Sequence, residues 1–367
     1  MEFFQHVVII GVGLIGGSMG LALRRAGYSG RIVGVSREKT VATAVELGAI
    51  ESGYTYEQIE EALPGADLVV MCTPIQHILD YLPRVLETVD PGTLVTDVGS
   101  TKRRIVETAA DVGRDDAFFI GGHPMAGSEK SGVNAADPFL FQNAIHILVP
   151  DDKAPQEHHQ ALRELLRGIG ARVMELSADE HDTVVAAISH LPQLMATSLV
   201  EMVGRMDEQA GDGHFLSLAA GGFRDLTRIA SSSFPMWRDI CATNSDRIEA
   251  MIAQFVATLR VVGGNVGSEV LEQDFDFANR VRDTIPRDAK GFIHKLSEIL
   301  VVAEDRPGVI AEIAGALAAL EVNINDIEVM KVREGEGGTL RLGFDHEEAA
   351  ERALAILNDL GHRARRP

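Results

Sequence analysis

The chain has 367 residues, 46% of them hydrophobic, enough for two or three domains with sizeable cores. Asp and Glu number 54 against 34 Lys and Arg, a net charge of -20, which disfavours nucleic acid and anionic membrane as partners and leaves anionic ligands to local arginines. The two cysteines, Cys72 and Cys241, lie far apart without metal-ligand spacing. No disulfide framework and no metal are expected, and a reducing, cytoplasmic setting fits. The opening MEFFQHVVIIGVG carries no signal-peptide pattern, and no uninterrupted apolar run approaches the roughly 20 residues that span a bilayer.

From Val7 to Pro150, β-branched runs alternate with helical patterns: VVII at 7–10, RIVGV at 31–35, DLVVM at 67–71, TLVTD at 93–97 and FFIG at 118–121. Such alternation predicts βαβ units and a parallel sheet. Further strand-like runs, AIHILV at 144–149 and ARVMEL at 171–176, extend the predicted dinucleotide-binding domain over 1–177.

Directly after the first run, Gly11, Gly13 and Gly16 form GxGxxG, with Leu14 and Ile15 opening the predicted helix. The first glycine permits the tight turn, the second lets backbone approach a pyrophosphate, and the third lets helix and strand pack closely. Ser36 stands where an NAD enzyme has an acidic residue for the ribose 2′-hydroxyl, and Arg37 follows it. A serine and a planar cation suit a 2′-phosphate, so NADP is favoured over NAD. Cys72, Thr73 and Pro74 open CTPIQ, and Ser100 lies in DVGSTK at 97–102. Both follow strands, where open α/β sheets place their ligands. Ser100 could bond a substrate hydroxyl or only cap the helix that Thr101 and Lys102 open.

GGHPMAGSEKSG at 121–132 sets His123 among glycines at the end of an apolar run. Beside a nicotinamide, an imidazole that titrates near neutrality can accept a hydroxyl proton as hydride leaves the same carbon. The alternative is a histidine that bonds only its own turn.

Strand signals vanish after Asp179. Leu194, Leu199, Met202 and Val203, then Ile248, Met251, Ile252, Phe255 and Leu259, recur at helical spacing. An all-helical substrate and dimerisation domain is predicted over 178–290, and apolar stripes on more than one face favour a homodimer over a self-contained bundle. Within it, AAISHLPQLMA at 186–196 holds His190 and Gln193, and GGFRDLTRIASSSFPMWRDI at 221–240 holds Arg224, Asp225 and Arg228. Arg224 and Arg228, four apart on one predicted helix, suit anion recognition or an Asp225-centred salt-bridge network.

Pro286, Arg287, Asp288 and Gly291 mark a linker. Over 295–367 the order strand, helix, strand, strand, helix resembles the ACT domain, a ferredoxin-like module that binds amino acids and other small effectors. Its marker is DRPG at 305–308, where Pro307 starts a helix and Gly308 allows close approach.

GVGLIGGS at 11–18, CTPI at 72–75, DVGSTK at 97–102, GGHPMAGSEKSG at 121–132, ISHLP at 188–192 and GGFRDLTRIASSSFPMW at 221–237 together resemble the TyrA family, the prephenate and arogenate dehydrogenases of tyrosine biosynthesis. The resemblance implies a Rossmann-type α/β domain, an all-α domain and a small α+β ACT domain. It further implies oxidative decarboxylation of a cyclohexadienol: hydride passes to NAD(P), carbon dioxide leaves and the ring becomes aromatic. His123 would accept the C4 hydroxyl proton, Ser100 would orient that hydroxyl, and Arg228 would grip the ring carboxylate. Glu129 and Asp225 match residues at the mouth of the family's site, and His190 lies in its substrate-facing helical motif. Gln193 departs from the second histidine of HLPH, beside the side chain that distinguishes prephenate from arogenate. Prephenate ranks first; arogenate or dual use stays open. Tyrosine is the expected effector, at Asp305, Arg306, Gly308 and Asn323. A β-hydroxyacid dehydrogenase and a non-enzymatic NADP or amino-acid sensor are the other classes.

Overall fold

The computed structural model describes residues 3–127, 130–285, 296–304, 306–333 and 337–367. The chain divides into two compact units, Met1–Asp276 and Phe277–Pro367, the boundary falling inside the helix Val270–Thr284. Most of the linker expected from 285 to 291 lies outside the described residues.

The first unit is built on an eight-stranded sheet. Its strands are β1 (His6–Ile10), β2 (Arg31–Val35), β3 (Ser52–Tyr54), β4 (Leu68–Met71), β5 (Leu94–Asp97), β6 (Phe118–Pro124), β7 (Ile145–Val149) and β8 (Arg172–Glu175), in the order β3-β2-β1-β4-β5-β6-β7-β8. The continuous apolar runs exist because both faces are covered. In β1, Val7 and Ile9 pack with Met19, Leu23, Leu162 and Leu165 on one face, while Val8 and Ile10 pack with Ile78, Leu82 and Val85 on the other. The strand order reverses between β2 and β4 on either side of β1, opening a crevice at the carboxyl ends of β1 and β4.

Two differences from the expected parallel sheet matter. The three-residue edge strand β3, SGY, has no β-branched residue and escaped the strand pattern. β7 runs antiparallel to β6. Among its described residues, the segment between β6 and β7 contains only a short 3-10 turn, Val133–Ala135, and an antiparallel return needs no crossover helix. β6 pairs with β5 only as far as Ile120; beyond it, Gly121 to Pro124 pair with Val149 to His146 of β7. His123 therefore stands on a strand extension past the end of β5.

After β8 the chain turns helical: Ala178–Val185, a π-turn Ala186–His190, Leu191–Ala210, His214–Ser217, Gly221–Thr227, Phe234–Thr243, Ser245–Gly264 and Val270–Thr284. Ile188, Met202, Leu216, Leu226, Leu259 and Val261 are exposed on these elements. The continuous run Ala178–Ala210 is long and apolar enough, by length and composition, to cross a membrane. It is not an uninterrupted apolar run, since Ser189, His190 and Gln193 fall within it. Cys72 and Cys241 are half-buried, and Cys72 packs against the core.

The second unit holds β9 (Ser297–Ala303), the helix Val309–Ala318, β10 (Asp326–Arg333), β11 (Gly337–Phe344), the helix Glu347–Asp359 and β12 (Arg363–Arg365). The antiparallel sheet runs β10-β11-β9-β12 and buries Ile299, Val301, Leu340, Leu342 and Phe344 against Ile313, Leu317 and Leu357. β12, an Arg-Ala-Arg triplet, extends the expected order by one strand that composition concealed.

Candidate active site

At the mouth of the crevice, β1 ends in Gly11 with φ +95°, where a Cβ would lie 2.7 Å from the Cys72 carbonyl carbon. Gly16 packs just as tightly, its Cβ position lying 2.3 Å from the Gly11 oxygen. Around Gly13, in contrast, nothing lies within 4 Å of where a Cβ would stand. Two glycines thus close the turn and the third faces open space, as a cradle for a dinucleotide pyrophosphate requires. Gly13 caps the helix Leu14–Arg25 without a side-chain bond, leaving first-turn N–H groups, at half-buried Leu14 and Ile15, for an anion. Beside it, Cys72 donates its N–H to the Ile10 carbonyl at 2.6 Å, and burial pushes the Cys72 thiol up. Thr73 is buried with a hydroxyl that meets no partner among the described residues, and Pro74 precedes the helix Ile75–Thr88. The residues present fit a dinucleotide.

Past the end of β2, Ser36 is buried, and Tyr56, whose ring stacks on Tyr81 at 5.8 Å, is raised above its ordinary value first by burial, with Ser36 opposing. Arg37 is exposed, at the N-cap of the helix Glu38–Glu46.

Further along the crevice, Asp97 at the end of β5 accepts the Gly122 N–H at 3.0 Å and the Gly99 N–H at 2.7 Å, and pairs with fully buried Lys102. Lys102 Nζ also donates to the Gly122 carbonyl at 2.7 Å, so both backbone groups of the residue before His123 are held by one ion pair. Burial pushes the Lys102 ammonium down, and the Asp97 carboxylate opposes that.

His123 is half-buried, and its Nδ1 lies 2.8 Å from His181 Nε2. His181 Nδ1 lies 2.8 Å from Asp182 Oδ1. The sequence places these two residues through a capping box: Ser177 Oγ accepts from the Glu180 N–H, and the Glu180 carboxylate accepts from the Ser177 N–H, starting the helix Ala178–Val185. Asp182 then caps another helix. It accepts the N–H groups of Lys102 at 2.7 Å and Arg103 at 3.0 Å, at the start of Arg103–Asp111. Ser100 plays no part in that cap, contrary to its capping reading; the carboxylate arrives from eighty residues later in the chain. Ser100 is half-buried on the loop between β5 and that helix.

Burial alone would raise the Asp182 carboxyl, but bonds from His181 and the Arg103 and Lys102 backbone hold it below its ordinary value. His123 is depressed well below the usual histidine range, first by burial and then by His181, Lys102, His146 and His190. It is neutral at neutral pH. Buried His146 is pushed down to about 3, and its Nδ1 has no partner among the described residues. His190 sits on the π-turn, an element common at functional sites. It is buried, lies 3.3 Å from Asn244 Nδ2, meets Trp237 edge-on at 5.9 Å and is pushed by burial down to about 4.

Gln193 is buried, and its Nε2 donates to the Ile229 carbonyl at 2.9 Å while its Oε1 accepts from Ser232 at 3.2 Å. Its amide fastens the turn that begins at Arg228. Arg224 and Asp225 lie exposed on the helix Gly221–Thr227, and Arg228 is exposed on the 3-10 turn Arg228–Ser231. The break at Thr227 means that Arg224 and Arg228 do not share one α-helix, as their spacing had suggested. Glu129 lies outside the described residues.

In the second unit, Gly308 has φ +93° and caps the helix Val309–Ala318, which starts two residues after Pro307. Arg306 is paired with Glu304 at 3.0 Å and Glu312 at 2.7 Å, and Asn323 is exposed. Asp305 lies outside the described residues.

Three family models match in sequence: the nucleotide-binding domain of prephenate dehydrogenase over 19–175, its dimerization domain over 177–276, and the ACT domain over 297–361. The prephenate dehydrogenase of Bacillus subtilis is 38% identical over 353 residues, covering 95% of this chain and 94% of that protein. The crystal structure of prephenate dehydrogenase from A. aeolicus with hydroxyphenyl propionate and NAD+ superposes with a TM-score of 0.69 at 31% identity, over 76% of this chain and 96% of that one. Synechocystis arogenate dehydrogenase gives a TM-score of 0.66 at 29% identity, over 76% and 99%. Matched domain by domain in chain order, and along nearly its whole length by a curated relative, the chain belongs to the prephenate dehydrogenase family of oxidoreductases.

Proposed function

We propose that the protein oxidises prephenate to 4-hydroxyphenylpyruvate with release of carbon dioxide, and that arogenate is its second substrate. The observation that carries this reading is His123: a neutral imidazole on the β6 extension, one nitrogen engaged by His181 and the other left for a ligand, beside a glycine cradle that fits a dinucleotide. A bound nicotinamide supplies the hydride acceptor. His123 Nε2 takes the proton of the substrate's C4 hydroxyl, and Ser100, on the loop after β5, orients that hydroxyl. Arg228 holds the ring carboxylate through its planar fork, and Gln193 fixes the turn from which Arg228 projects. Glu129 and Asp225 shape the entrance, and His190 closes the helical wall.

The cofactor is NADP in preference to NAD. Support comes from Ser36 and Arg37 standing where a carboxylate would select the 2′-hydroxyl. The exposed apolar residues of the helical region pair with a second copy, in keeping with the dimerization domain that the segment matches. Tyrosine binds the ACT domain around Asp305, Arg306, Gly308 and Asn323 and lowers activity.

Following nicotinamide reduction by absorbance, with each of the two substrates and two cofactors, tests the reading. Prephenate with NADP is expected to give the highest kcat/KM. Absence of turnover with both substrates would refute the assignment, and a strong preference for NAD would return Ser36 and Arg37 to structural roles.

A further inference from the structure

We infer that His181 and Asp182 form a proton relay that fixes the tautomer of His123 and receives its charge during turnover. The inference rests on His123 as the base and deepens that reading. Asp182 already accepts two backbone N–H groups and can only accept while ionised, so the 2.8 Å contact with His181 places the proton on His181 Nδ1. In neutral His181, Nε2 is then a bare acceptor. It lies 2.8 Å from His123 Nδ1, which must donate, and a neutral His123 with its proton on Nδ1 presents an unprotonated Nε2 to the substrate. The chain of contacts thus selects the tautomer able to accept a proton.

The same chain provides a second step. When the hydroxyl proton arrives on His123 Nε2, the Nδ1 proton passes to His181 Nε2. His123 becomes neutral again, and His181 becomes an imidazolium against the Asp182 carboxylate. No proton is gained or lost by the pair beyond the one taken from substrate. Charge moves from a ring crowded by Lys102, His146 and His190 to one that touches a carboxylate. Lys102 itself is neutralised by Asp97, so Asp182 is the carboxylate directed at the histidine pair.

Two measurements test this on the full-length protein. Nitrogen chemical shifts of 15N-histidine-labelled enzyme, with His123→Asn used to assign the resonances, read the tautomer directly. The expected pattern is a protonated Nδ1 and bare Nε2 on His123, and a protonated Nδ1 on His181; a His123 ring protonated on Nε2 overturns the relay. Kinetics of His181→Leu and His181→Gln supply the second test. His181→Leu is expected to lower kcat about 10- to 100-fold with KM little changed, on the scale seen for partners that orient a functional imidazole. His181→Gln keeps an acceptor near the Nε2 position and should recover part of kcat. If His123→Asn is inactive while both His181 variants keep wild-type kcat, the relay is wrong and the base stands. If His123→Asn retains turnover, the base reading itself fails. Should His181→Leu not fold, the tautomer measurement on the wild-type enzyme decides.

Discussion

Two regions of the first unit are built in opposite ways. On the proton-handling side, Asp97, Lys102, His181 and Asp182 are wholly buried: Asp97 and Lys102 bond Gly122 next to His123, His181 meets His123 itself, and Asp182 meets His181 and caps the helix Arg103–Asp111. On the side expected to grip the substrate, Arg224, Asp225 and Arg228 are exposed on a seven-residue helix and a 3-10 turn fastened by the Gln193 amide. Groups that must be in place when charge moves are held by protein, since reorganising them would add to the barrier.

That contrast sets where substitutions act. The largest effect is expected from Lys102→Met, which leaves Asp97 buried and uncompensated and should cost about 3–5 kcal/mol of stability. Denaturant unfolding measures it, and a loss confined to activity would show that the pair does not anchor the β5–β6 end. Arg228→Ala should act in reverse, forfeiting a charge-assisted pair worth about 1.5–3 kcal/mol in substrate affinity while the unfolding midpoint holds. An unchanged KM with reduced stability would place Arg228 in a structural network instead. Smaller again, Gln193→Leu removes two hydrogen bonds to the Ile229–Ser232 turn, each worth about 1 kcal/mol, and should raise KM more than it lowers kcat. A drop in kcat with KM unchanged would separate Gln193 from the binding side.

Acid offers a graded probe of the buried side. His146 and His190 have folded-state values of about 3 and about 4, below the unfolded value near 6.5. Between those limits the unfolded chain binds more protons than the native one, so stability is full above about pH 6.5 and falls as pH drops toward about 3. Urea midpoints across that window should fall steadily, and His146→Leu should flatten part of the slope. An identical slope in the variant would mean that His146 is protonated in the native state.

Much of the site could be read in the letters because local chemistry dictates it. GxGxxG must be glycine at Gly11 and Gly16 for steric reasons that the structure makes explicit, and β-branched runs buried on both faces announce the central strands. What escaped was set by tertiary contact. His181 and Asp182 follow a capping box in an otherwise ordinary amphipathic stretch, and nothing local says that the carboxylate will cap a helix eighty residues away. The antiparallel turn of β7 depends on a connection that lacks a crossover helix, which strand composition does not reveal. Gln193, read as a substrate contact, spends its amide on a neighbouring turn. The adjacent His181 and Asp182, one turn after a capping box, were the available signal for the missed residues.

The central claim is that His123 is the group that takes the substrate's proton. The most direct test is the rate of the hydride-transfer step in a single turnover by His123→Asn, with cofactor and substrate affinities measured on the same preparation. Unchanged affinities with a hydride step slowed by about 10²-fold or more are expected, the scale of a lost general base. A folded His123→Asn enzyme that transfers hydride at the wild-type rate would contradict the claim and leave His123 a turn residue on the β6 extension.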